Sequence, residues 1–173
     1  MIEHIRTRRS IRKYTDTPVS DEHRRILEEA ALRAPTSHNN RPWEFVFVSD
    51  KGRLADLAKL KPLGSAFLAD APLAVAILAD PARSDVWIED ASIAATILHL
   101  TAHSLGLGSC WVQVRGRDHT EGHPASLFVG DLVGAPDGLE VLAVIGIGHP
   151  VQAKDPIPDG DLLRDRIHQD RFA

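Results

Sequence analysis

Five cations and no carboxylate fall within Arg6-Thr7-Arg8-Arg9-Ser10-Ile11-Arg12-Lys13. The arginine guanidinium is a planar fork that matches phosphate oxygens, and Ser10 adds a hydroxyl donor. These residue types suit a clamp for a phosphate monoester. The same run also suits a solvated basic face or a nucleic-acid patch, since a run of like charge is commonly surface. A second polar segment, Ala34-Pro35-Thr36-Ser37-His38-Asn39-Asn40-Arg41-Pro42-Trp43, is dense in hydrogen-bonding side chains. Asn carries both a donor and an acceptor, so this segment could read the edge of a polar heterocycle. Asn, Ser and Pro are equally the residues of an ordinary turn.

Other reactive types are less suggestive. His99 and His103 stand four apart, a spacing that can share a metal, but no third ligand is indicated. Two hydrogen-bonded core or interface histidines are the expectation. Cys110 lies in an apolar stretch beside Trp111, with no base nearby in sequence to make a thiolate, and reads as a packed core residue. Arg115-Gly116-Arg117-Asp118-His119 reads as a solvated loop. Gly106-Leu107-Gly108 and Gly146-Ile147-Gly148 do not extend to the dinucleotide fingerprint G-x-G-x-x-G, and the G-x-x-x-x-G-K-[ST] phosphate loop is absent. No carboxylate pair is singled out by spacing, so no catalytic acid or base is assigned, and no metal.

These segments need elements to hold them. Asp21 to Ala34 predicts a helix: Ser20 is a suitable N-cap, and Ile26, Leu27, Ala30, Ala31 and Ala34 form an apolar stripe that Pro35 terminates. Lys51 to Leu60 and Pro124 to Val133 also read as helices. Strands are predicted over Trp43–Val48, Leu73–Leu78, Ser109–Val114 and Leu139–Ile147. Ile88 to Leu105 predicts a helix apolar around nearly its whole circumference, which should be buried on most sides. In so short a chain a subunit interface is one way to cover the second side. Beyond Pro150 the sequence turns polar and proline-rich, as expected of a surface tail or an arm. The alternation gives α/β or α+β.

The chain has 173 residues, 43% hydrophobic and 25% charged, with a net charge of −4. One domain with a sizeable core is expected. The acidic balance argues against a general nucleic-acid binder. A single cysteine excludes an internal disulfide. No apolar stretch is long enough to span a bilayer, and the first ten residues lack the apolar core of a signal peptide. The expectation is a cytoplasmic globular protein with no membrane or nucleic-acid partner.

Taken together and in order, RRSIRKY (Arg8–Tyr14), APTSHNNRPWEF (Ala34–Phe45), the Trp87–Asp90 start of the long helix, LGLGSCWVQ (Leu105–Gln113) and VIGIGHP (Val144–Pro150) resemble the FMN-dependent nitroreductase family. The resemblance implies an α+β fold with a central, mainly antiparallel sheet flanked by helices. It implies an intertwined homodimer with FMN sites at the interface, with 1–173 as one FMN-binding domain and 151–173 as an arm contributing to the dimer. It implies that Arg8, Ser10 and Arg12 hold the FMN phosphate and the ribityl or pyrimidine edge, with Arg9 nearby. Pro35, Thr36, Ser37 and Asn39 would reach the flavin from the other subunit. Trp111, Val112, Gln113 and Val114 would lie by the isoalloxazine, and Lys154 would be the C-terminal phosphate-binding cation.

The activity implied is transfer of hydride from NADH or NADPH through FMN to a nitroaromatic, quinone or related acceptor, in a ping-pong scheme. Relatives with specialised flavin chemistry (dehalogenation, flavin breakdown, ring oxidation) and a non-catalytic flavin-binding module are the alternatives. Two departures stand out. Arg41 replaces a common Gln, and the Asp155–Leu162 stretch lacks a second basic partner for Lys154.

Overall fold

The computed structural model describes residues 1–172. In chain order it has helices α1 (Ile2–Thr7) and α2 (Asp21–Leu32), strand β1 (Trp43–Val48), helix α3 (Lys51–Leu57), strand β2 (Leu73–Ala79) and helix α4 (Trp87–Ser104). Strands β3 (Gly108–Gln113), β4 (Asp118–Thr120) and β5 (His123–Pro124), helix α5 (Ala125–Val133) and strand β6 (Glu140–Gly148) follow. Strands β1, β2, β6 and β3 form one sheet in that order, and every pairing in it is antiparallel. The α+β architecture with a central antiparallel sheet is therefore present.

The two central strands explain their own composition. Every residue of β2 is buried, as is every residue of β6 except Glu140. A strand covered on both faces reads as a continuous apolar run rather than an alternation. One face packs against Leu27 and Ala31 of α2 and Ala91, Ala95, Leu98 and Ala102 of α4. The other packs against Leu54 and Leu57 of α3, Leu60, Leu68, and Ala125 and Val129 of α5.

Local signals set the helix starts. The Ser20 hydroxyl accepts from the His23 N–H at 3.1 Å, and the Asp50 carboxylate accepts from the Arg53 N–H at 2.9 Å. Helices α2 and α3 end at Leu32 and Leu57, short of the expected Ala34 and Leu60. The segment expected as a solvated loop after β3 instead contributes to the two-stranded β4–β5 ribbon. His119 stacks on Phe128 with ring centroids 3.9 Å apart.

Within this chain α4 is covered on one side only. Asp90, Ala91, Ala94, Ala95, Leu98 and Ala102 are buried, whereas Ile93 is 42% exposed. Residues 151–172 are exposed throughout and carry two 3-10 turns but no strand. No helix among the described residues is long and apolar enough to cross a membrane.

Candidate functional site

The basic N-terminal run becomes a shaped element because the sheet grips it at both ends. Ser10 forms an isolated parallel bridge with Ser109 of β3, and the Ile11 N–H donates to the Ser109 carbonyl at 3.0 Å. Further on, Tyr14 pairs with Pro150, and the Thr15 N–H donates to the His149 carbonyl at 2.9 Å. The buried Tyr14 hydroxyl lies 2.7 Å from the Ile11 carbonyl and 3.0 Å from the Gly146 carbonyl. A Cβ at Gly108 would sit 2.7 Å from the Ile11 Cβ, so glycine there lets the segment lie flat on the strand. At Gly148 a Cβ would meet Pro72 Cδ at 2.5 Å. Gly108, Gly146 and Gly148 are thus close-approach positions, and Gly106 serves a left-handed turn (φ 75°).

An extended segment sends alternate side chains to opposite sides. Arg8 and Ser10 face a pocket of about 480 Å³, with Trp111 and His99 opposite and Ile5, Thr96 and Leu100 completing its wall. Arg9 and Ile11 face a neighbouring pocket of about 310 Å³, together with Lys154, Thr7 and His103. The Arg9 guanidinium donates to the Asp155 carbonyl, so the start of the tail is drawn against the basic run. Arg12 is exposed at the edge of this region. Among the described residues, Arg8, Arg9, Arg12, Lys13 and Lys154 have no carboxylate within ion-pair distance. An uncompensated cationic cluster beside an aromatic wall fits a phosphate-bearing aromatic group.

Strand β3 divides its residues between two faces. Val112 and Val114 are 1% and 0% exposed and belong to the core on the α3–α5 side, so only their backbone groups can meet a ligand. Trp111 and Gln113 are half-buried on the other face. The Trp111 Nε1–H donates to Gln113 Oε1 at 3.0 Å, and the Gln113 Nε2–H donates to the Arg115 carbonyl at 2.7 Å. His99 stacks on Trp111 at 6.4 Å between centroids, and its Nδ1 lies 2.7 Å from Ser109 Oγ. Burial first, and the Arg8 charge second, push the His99 pKa down to about 4, leaving the ring neutral near pH 7. Burial pushes the Cys110 thiol up, which disfavours a thiolate. His103 is engaged separately, with Nε2 2.7 Å from Thr7 Oγ1.

The Pro35–Asn39 segment is a fixed turn with left-handed backbone at His38 (φ 48°), Asn39 (φ 58°) and Arg41 (φ 46°). Its support is Asp90, a buried carboxylate that sequence reading left without a role. Asp90 accepts from the Ser37 N–H at 2.8 Å and from the Ser84 hydroxyl at 2.9 Å. The signal available for Asp90 was an acid in the first turn of a largely apolar helix, next to the exposed Glu89. Arg41 closes the turn: its N–H donates to Thr36 Oγ1 at 3.1 Å and its Nε–H to Asn39 Oδ1 at 2.8 Å. Asp90 and His99 are nine residues apart on α4, about 14 Å of helix. Within one chain Pro35, Thr36, Ser37 and Asn39 are therefore not brought into the Arg8–Ser10 pocket.

The chain matches the family model described as "Nitroreductase family" over residues 5–63 and 54–149. A provisionally named NADH dehydrogenase/NAD(P)H nitroreductase of Archaeoglobus fulgidus is 34% identical over 173 residues, 97% of this chain and 96% of the relative. The fold superimposes on an FMN-dependent nitroreductase from Clostridium difficile R20291 with a TM-score of 0.97 and 43% identity. That match covers 99% of this chain and 100% of the other. The NADPH:FMN oxidoreductase of Vibrio harveyi, solved with NAD+, superimposes with a TM-score of 0.83 and 26% identity over 99% of this chain and 77% of that one.

Proposed function

The chain belongs to the nitroreductase family, and from that premise we propose that it is an FMN-dependent NAD(P)H oxidoreductase acting on nitroaromatic, quinone or related small acceptors. The observation that carries this reading is the pocket in which Arg8 and Ser10 face Trp111, next to cations that have no carboxylate partners. When bound, FMN would supply the redox chemistry that links NAD(P)H oxidation to reduction of the acceptor by a ping-pong scheme. The protein's part is to bind, orient and tune.

Arg8, Ser10 and Arg12 hold the phosphate and the ribityl or pyrimidine edge, and Arg9 and Lys154 add positive potential from the adjoining pocket. Trp111 gives an aromatic wall, while Gln113, Val112 and Val114 present backbone groups to the ring edge. No side chain is assigned as nucleophile, acid or base: Cys110 is a buried thiol, and burial leaves the His99 ring weakly basic.

The remaining contacts, from Pro35, Thr36, Ser37 and Asn39, come from a second copy of the chain. The uncovered side of α4 around Ile93, with Ile2 and Ile5 of α1 exposed beside it, supports a homodimer. So does the exposed 151–172 arm, which has no cover of its own. Residues 1–173 act as one domain. The need for NAD(P)H assigns the protein to the cytoplasm.

Purified protein should show a flavin absorption band, release FMN on denaturation and run as a dimer by native mass. Colourless protein that cannot be reconstituted with FMN would overturn the assignment. Flavin that stays oxidised with both NADH and NADPH would point instead to a binding module.

A further inference from the structure

We propose that His99 is itself a ligand of the cofactor, its Nε2–H donating a hydrogen bond to an oxygen of the ribityl–phosphate chain in the pocket it shares with Arg8 and Ser10. This inference rests on the FMN reading above. The imidazole is locked in place before any ligand arrives. Its Nδ1 is 2.7 Å from Ser109 Oγ, and Ser109 is 2% exposed, with its backbone tied to the Ser10–Ile11 segment. One ring face stacks on Trp111 at an interplanar angle of 28°. The ring cannot swing away without breaking both contacts.

The second nitrogen, Nε2, has no hydrogen-bond partner among the described residues, and the ring lines the pocket. A neutral imidazole has one donor and one acceptor nitrogen, and the partner of one nitrogen selects the tautomer at the other. The Ser109 hydroxyl can rotate to donate into Nδ1, which places the proton on Nε2. The phosphate end of that segment offers only acceptors, which favours that tautomer, and a ribityl hydroxyl can also accept from it. Arg8 stands in the same pocket, and its charge opposes a second cation there. A histidine held neutral adds directional binding without adding to the positive charge already gathered there. Leu100 and Ile5 provide the apolar remainder of the wall. Ser109 is a positioning residue in this arrangement: it acts through the ring and does not touch the cofactor.

The test uses full-length protein stripped of FMN and titrated back with FMN, with binding read by quenching of flavin fluorescence. His99→Leu should weaken FMN about tenfold, the loss of one hydrogen bond to an anionic or polyhydroxyl ligand. His99→Gln, which keeps an N–H donor, should stay within about threefold of wild type. In wild-type protein labelled with 15N-histidine, the His99 Nε2 resonance should be that of a protonated nitrogen and should shift on FMN addition. A purely structural histidine would not show that shift. Wild-type protein that binds FMN with the His99 resonance unmoved, or a folded His99→Leu variant that binds FMN as wild type does, overturns the proposal. If His99→Leu does not fold, the wild-type resonance and the glutamine variant decide. Wild-type protein that binds no FMN defeats the function assigned above, and this proposal with it.

Discussion

Arg8 and Arg9 are adjacent in sequence and serve different pockets, because the segment that carries them is extended and pinned to β3. Arg8→Ala should lower FMN affinity ten- to a hundredfold, roughly 1.5–3 kcal/mol for a hydrogen bond to a charged group. Isothermal titration of the stripped protein measures it, and unchanged affinity would remove Arg8 from the clamp. His99 gives a second expectation, this time on stability. Its pKa is about 4 in the fold against an ordinary 6.5. Above pH 6.5 the ring is neutral in both folded and unfolded chains and contributes no pH dependence. As pH falls from 6.5 toward 4 the unfolded chain takes up the proton first, so stability declines over that window. Urea midpoints of the flavin-free protein should fall more steeply there for wild type than for His99→Gln. Parallel curves would mean that the ring is not held neutral. The residue types of the basic run were legible in sequence, as was Trp111. The inward direction of Val112 and Val114 was not, because the register of β3 on β6 decides which face of a strand meets the core. Asp90 was equally hidden: its partners Ser37 and Ser84 become neighbours only once α4 is docked.

At the scale of elements, burial on both faces made β2 and β6 readable as continuous apolar runs, and the Ser20 cap made the start of α2 readable. Helix α1 and the β4–β5 ribbon escaped, since neither has an apolar period of its own. The ribbon instead depends on tertiary contacts such as His119 against Phe128 and the His119 Nδ1 contact with the Lys59 carbonyl at 2.9 Å. The glycines were visible as glycines, but their purpose lies in what they face. Gly108→Val should push Ile11 and the whole Ser10–Arg12 stretch off β3, costing about 1–3 kcal/mol of stability as overpacking does and reducing FMN retention in the same variant. Thermal melts and flavin content measure the two effects. A variant that keeps both would show that the segment can shift without harm.

For the molecule as a whole, the composition of α4 predicted burial on most sides, and a single chain covers only one. Ile93→Asp, at an exposed position, should leave the buried face of Ala94, Leu98 and Ala102 intact and shift the native mass of the proposed dimer to that of a monomer. Flavin should be lost in step with dissociation, because the Pro35–Asn39 turn would no longer be supplied by a partner. An Ile93→Asp variant that remains dimeric and yellow would place the interface elsewhere.

The cross-links between the chain's two ends also govern when this protein can mature. The Tyr14 hydroxyl bonds the Gly146 carbonyl across 132 residues of sequence, and Arg9 bonds Asp155 across 146. Contacts of such long separation form late, because their loops close at a high entropic cost. The Arg8–Arg12 stretch therefore has no rigid seat until β3 and β6 have paired, so these arginines converge only in a chain whose sheet is already closed.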